Sequence, residues 1–114
     1  MATDADLLVD QGSRWQAIVE VTVEWLTDLT GYTARGHVKA SRTLGGAPVL
    51  FEFDAYMSVD VLNHQVLIDI PADVSAAWVW TKGVYDLELF DGDPAHDVRF
   101  LQGDIKVDKE VTVQ

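Results

Sequence analysis

The stretch Trp15-Gln16-Ala17-Ile18-Val19-Glu20-Val21-Thr22-Val23-Glu24-Trp25 decides the fold. Every odd position in it is apolar, and the even positions are polar except for Ile18. Strand side chains point alternately to two faces, so this pattern builds one dry face and one wet face, whereas a helix would spread the same residues around its circumference. The reading is a β-strand over a core, spanning roughly Arg14 to Glu24, with Trp15 and Trp25 in the inward register.

Working outward, Thr27 to Gly31 supply turn formers, and a second strand is expected at about Tyr32–Ala40 with Ala34, Gly36 and Val38 sharing one parity. Gly45, Gly46 and Pro48 mark a turn into a third strand, in which Val49, Phe51 and Phe53 point inward and Leu50, Glu52 and Asp54 outward. Tyr56–Leu62 reads as a strand passing between sheets, with Met57, Val59 and Val61 on one side. Asn63 and His64 then turn into a strand at Gln65–Ile70, where Leu67 interrupts the wet face. Pro71 ends that strand and Ala72–Ala77 suits a single helical turn. Tyr85, Leu87 and Leu89 point inward in the next strand, and Asp91 to Pro94 turn into a last strand at Val98–Val107. In that strand Phe100 and Ile105 have opposite parity, which places a β-bulge at Gly103. About seven short strands and one helical turn predict an all-β protein, an antiparallel β-sandwich or small barrel. Residues 1–12 read as an N-terminal arm and 13–114 as one domain.

The 114 residues include no cysteine, which removes disulfides, thiolate zinc sites and cysteine nucleophiles together. Nineteen acidic against eight basic residues give a net charge of −11, a balance that repels phosphate backbones and anionic membranes. Nucleic acid is therefore not an expected partner. The leader carries Asp4, Asp6 and Asp10 with no Lys or Arg, unlike a secretory signal, and no run approaches the ~18 apolar residues of a membrane span. The expectation is a soluble, acidic protein made without export and without membrane insertion.

Chemistry-bearing residues are few. Ser13, Ser41, Ser58 and Ser75 lack the glycine-flanked elbow of a hydrolase nucleophile, and His37, His64 and His96 show no zinc-ligand spacing. Asp91, Asp93 and Asp97 with His96 suit a solvated hairpin tip better than a calcium loop, because the terminal bidentate glutamate is missing. Asp86 with Glu88, and Glu52 with Asp54, each share a strand face about 7 Å apart, as acids on a wet face do. No catalytic residue, metal or cofactor is assigned.

What remains are contact surfaces. Arg35, His37 and Lys39 share a parity and, with Arg42, form a basic stripe in a negative protein, suited either to neutralisation by neighbouring acidic strands or to docking an acidic patch. Trp78 and Trp80 flank Val79 before the Gly83 turn; Trp80 is expected to plug the end of the sandwich, and Trp78 to be either core or an interface anchor. Leu7, Leu8 and Val9 are an apolar trio in a charged leader, expected to add as a strand to a neighbour's sheet edge.

Four strings occur in order along most of the chain: Asp10-Gln11-Gly12-Ser13, Leu29-Thr30-Gly31-Tyr32-Thr33-Ala34-Arg35, Tyr85-Asp86-Leu87-Glu88-Leu89 and Leu101-Gln102-Gly103-Asp104-Ile105-Lys106-Val107. In these the chain resembles a family of small phage and prophage structural proteins, similar to the N-terminal module of phage baseplate upper proteins. The resemblance implies an immunoglobulin-like β-sandwich and a non-enzymatic role in the virion. It implies contacts with phage tail or capsid proteins, in multiple copies per particle, after synthesis in the bacterial host cytoplasm. The expected location is the tail or its tip; capsid decoration is the alternative, and a carbohydrate-binding module with Trp78 and Trp80 as an exposed aromatic platform is a third reading.

Overall fold

A computed structural model describes residues 3–41 and 48–109. The expected turn at Gly45 and Gly46, and Arg42 of the basic stripe, lie outside the described residues. Among the described residues nine strands form: β1 (Thr3–Asp4), β2 (Leu7–Asp10), β3 (Trp15–Glu20), β4 (Thr33–Lys39), β5 (Val49–Glu52), β6 (Met57–Asp60), β7 (Gln65–Ile70), β8 (Lys82–Phe90) and β9 (Val98–Asp108), with one short α-helix, α1 (Ala72–Ala76), between β7 and β8. No helix among the described residues is long and apolar enough to cross a membrane.

The strands make two sheets. The larger runs β1–β9–β8–β4–β5, with β2 continuing β1 along β9, and the smaller runs β3–β7–β6. This is an immunoglobulin-like sandwich of the variable type, in which an extra strand (here β5) extends one sheet and the second, fourth and fifth strands of the motif (here β3, β6 and β7) form the other. The core between the sheets takes Val66, Ile68 and Ile70 from β7, Ala34 and Val38 from β4, Tyr85, Leu87 and Leu89 from β8, and Ile105 and Val107 from β9. All alternate in sequence, and all are buried.

Not every pairing is antiparallel. β1 and β2 run parallel to β9, Thr3 opposite Leu101 and Leu7 opposite Ile105. The leader is thus a strand of its own sheet, correcting the expectation that it reaches a neighbour. Val9 is fully buried, and Leu7 is half-buried against the core. Burying that apolar side and adding a ladder of hydrogen bonds outweighs leaving the arm in water.

Two irregularities fall elsewhere than expected. In β9, Leu87 opposes Leu101 while Glu88 opposes Arg99, so Phe100 is the extra residue and the bulge precedes Gly103 by three positions. Phe100 and Leu101 are consequently both buried. Gly103 answers a different need: a Cβ there would stand 2.1 Å from the Ala5 carbonyl oxygen, where the leader runs alongside β9. In β5, Val38 opposes Phe51 and Lys39 opposes Val49, leaving Leu50 as the extra residue. That shift turns Val49 out, 46% exposed, whereas Phe53 stays buried as expected.

The opening stretch is a strand only as far as Glu20. Val21 still donates to the His64 carbonyl at 3.1 Å, but the chain then leaves the sheet toward β4. Trp25 therefore lies 57% exposed in that connection and is not core; Leu26 and Leu29 are buried instead. The connection ends at Leu29-Thr30-Gly31-Tyr32, where Tyr32 donates to the Leu29 carbonyl at 3.0 Å and Gly31 takes φ +85°, the turn position that glycine fills without strain.

Candidate interaction surfaces

The outer face of the larger sheet is a charge ladder. Arg35 on β4 stands opposite Glu88 on β8, and Glu88 opposite Arg99 on β9. The Arg35 Nε donates to Glu88 Oε1 at 2.6 Å, its Nη2 donates to the same oxygen and lies 3.4 Å from Asp97 Oδ2, and its guanidinium carbon sits 4.3 Å above the Phe90 ring. His37 is opposite Asp86, with its Nε2 3.8 Å from Glu52. Arg99 reaches Asp86 at 3.5 Å. Lys39 ends the stripe exposed, opposite Val84. Arg35 is thus paired with Glu88 and Asp97, and acids stand beside His37, so among the described residues this face carries interleaved basic and acidic side chains. Asp86 and Glu88 share the face of β8 as expected and meet Arg99 and Arg35, whereas β5 ends at Glu52, so Asp54 does not share a strand face with it; the Asp54 carboxylate accepts from the Gly36 backbone N–H at 3.0 Å.

Trp78 is core, only 7% exposed. It stacks on Trp80 with centroids 4.7 Å apart and meets Phe51 edge-on at 4.8 Å. Its carbonyl accepts from Gln11 Nε2 at 2.9 Å and from Lys109 Nζ at 3.0 Å. Trp80 is half-buried and packs against the core, and Trp78, buried within it, is neither an interface anchor nor an exposed sugar platform. Ser75 is fully buried beside it; its Oγ accepts from Gly12 N–H at 3.0 Å and ties the leader's turn to α1.

The β8–β9 loop is organised by its own acids. Asp93 accepts from the Ala95 N–H, Asp91 accepts from the Asp93 N–H, and His96 Nδ1 is 2.9 Å from Asp91 Oδ2. The Asp93 N–H, then His96, holds the Asp91 carboxyl below its ordinary value, and the bond to Asp91 raises the His96 imidazole. Among the described residues, no three His, Asp or Glu side chains gather so as to hold a metal ion.

The surface the sequence reading did not single out is the outer face of the smaller sheet. Ile18 on β3 and Leu67 on β7, the two residues that break their strands' alternation, are direct partners in the β3–β7 ladder. Ser58 of β6 extends the row beyond Leu67. With Gln16, Asp69 and Tyr56 they line a shallow trough of about 540 Å³. Arg14 closes one end by a two-bond fork onto Asp69, Nε to Oδ1 at 2.9 Å and Nη2 to Oδ2 at 2.6 Å. The fork holds the Asp69 carboxyl below the ordinary carboxylate range. Ile18 is 68% exposed at the rim. The signal was visible as two isolated apolar letters on wet faces; only the register shows that they are neighbours. Leu8, on the far edge of the larger sheet, is the one member of the leader trio that faces solvent, 62% exposed.

Compared with known proteins, the chain matches no family model, and no curated protein is significantly similar to it in sequence.

Proposed function

We propose that this protein is a non-enzymatic structural component of a phage virion, acting through protein–protein contacts in the tail or tail tip. The observation that carries the reading is where the residues of the resemblance stand. Gln11 and Gly12 tie the leader's turn to Trp78 and Ser75, Gly31 makes the turn into β4, Arg35 and Glu88 pair across the outer face, and Tyr85 and Gly103 both meet Ala5. That the strings stand at turns, at the leader's seam and in a cross-strand pair supports a part for them in the frame and its surface charge. A frame with a covered core, a broad face of interleaved charges and an apolar row beside a sheet edge suits a role of fitting against other proteins.

The test is electron microscopy of purified virions carrying a tagged copy of this protein. Label at the tail or its tip supports the reading, label over the capsid replaces it with the decoration role, and particles without label overturn both.

A further inference from the structure

The geometry points to β3 as a self-pairing edge: two copies of this chain join antiparallel through β3, about a two-fold axis at Ile18, so that their smaller sheets become one. This goes beyond the proposed virion role and does not depend on it. Among the described residues β3 is paired on one side only, to β7. Because the Val21 N–H is spent on His64 of that side, strand alternation turns the N–H and C=O groups of Gln16, Ile18 and Glu20 to the open side. An edge of this kind is a template for another strand.

The other edges fit less well. β5 and β6 have four residues each against six in β3. β2, pairing with itself about Leu8, would set Asp6 against Asp10 of the second copy, like charge against like. β3 reads the opposite way. Pairing about Ile18 sets Ile18 against Ile18 of the second copy and Gln16 against Glu20, with Arg14 on the diagonal from that same Glu20, within reach of a long side chain. No like charges meet. The row Leu67–Ile18 continues into Ile18–Leu67 of the second copy, forming one apolar stripe across the joined sheet, and the half-buried Trp15, Ala17 and Val19 gain cover on the inner side. The net charge of −11 opposes association, so the pairing strengthens as salt screens it.

The chain has no cysteine, so single-cysteine variants report the register without background. Directly opposed hydrogen-bonded residues lie about 5.5 Å apart between Cα atoms, within disulfide span. Mild oxidation of Ile18→Cys is expected to give a covalent dimer, whereas Gln16→Cys, displaced about 13 Å from its own copy by four residues of strand, is not. Sedimentation of the unmodified chain at about 100 µM protomer is expected to show a dimer fraction that rises with salt, and Ile18→Lys to remove it with an unchanged circular dichroism spectrum. A monomer at all salt concentrations, or equal cross-linking of both cysteine variants, overturns the proposal.

Discussion

Gly103 lies directly under the carbonyl of Ala5, so close that no side chain fits between them, and the Tyr85 hydroxyl donates to that same carbonyl oxygen. One backbone oxygen thus gathers the leader, β8 and β9 into a single point of closure.

Gly103→Ala is expected to lift the leader off β9, since the obstructing atoms are backbone and cannot rotate away. The cost is about 1–3 kcal/mol of unfolding free energy. Hydrogen exchange would show loss of protection at residues 3–10 while β4 and β7 keep theirs. Tyr85→Phe removes the hydroxyl alone and is expected to cost about 1 kcal/mol by denaturant titration.

The two tryptophans separate cleanly. Trp78→Ala empties a site between Phe51 and Trp80 and is expected to cost about 3–5 kcal/mol. Trp25→Ala, at a position 57% exposed, is expected to stay within about 0.5 kcal/mol of the parent. Equal losses at both positions would contradict the burial described for Trp78.

A double-mutant cycle of Arg35→Ala and Glu88→Gln is expected to return a coupling of about 0.5–1 kcal/mol, because both side chains retain solvent contact, 40% and 29% exposed. The coupling should shrink as salt rises.

Acid and base limits act on the β8–β9 loop in opposite directions. The raised His96 contributes stability that is complete below its ordinary value of 6.5 and is lost as pH rises through the folded value. The lowered Asp91 contributes stability that is complete above its ordinary value of 3.8 and is lost as pH falls through its folded value. The loop is therefore expected to be tightest between those two ordinary values. Nuclear magnetic resonance titration should place the His96 midpoint above that of His96 in Asp91→Asn, and an unmoved midpoint would show that the Asp91 contact is absent in solution.

Sequence alone carried the sandwich because the inward sets Ala34/Gly36/Val38, Val66/Ile68/Ile70 and Tyr85/Leu87/Leu89 recur at every second position of β4, β7 and β8 and are the buried ones. It misplaced features that depend on what lies opposite. A glycine at a parity change can serve a bulge or the close approach of a neighbouring strand, and the letters around Gly103 are the same in both cases. Trp25 keeps the parity of Trp15, but parity has meaning only while the strand lasts, and β3 ends at Glu20. The basic residues Arg35, His37 and Lys39 lie on one face as the parity implies; the acids that meet Arg35, Glu88 on β8 and Asp97 just before β9, stand 53 and 62 positions away in sequence. The apolar row Ile18–Leu67 was legible only as two exceptions, because register is a property of pairs.

The parallel pairing of β1 with β9 also governs how the chain can be made. Asp4 and Gln102, 98 positions apart, hydrogen-bond across that seam. During synthesis the leader emerges 98 positions ahead of its partner on β9, so the nascent polypeptide carries an unfinished sheet border until β9 has been translated. Contacts of such long range form slowly, and in the interval the half-built border is open to strangers. Fusing this protein behind a slow-translating partner changes nothing in that order, whereas a pause placed shortly before the codon for Val98 would lengthen the exposed period and lower the yield of soluble product.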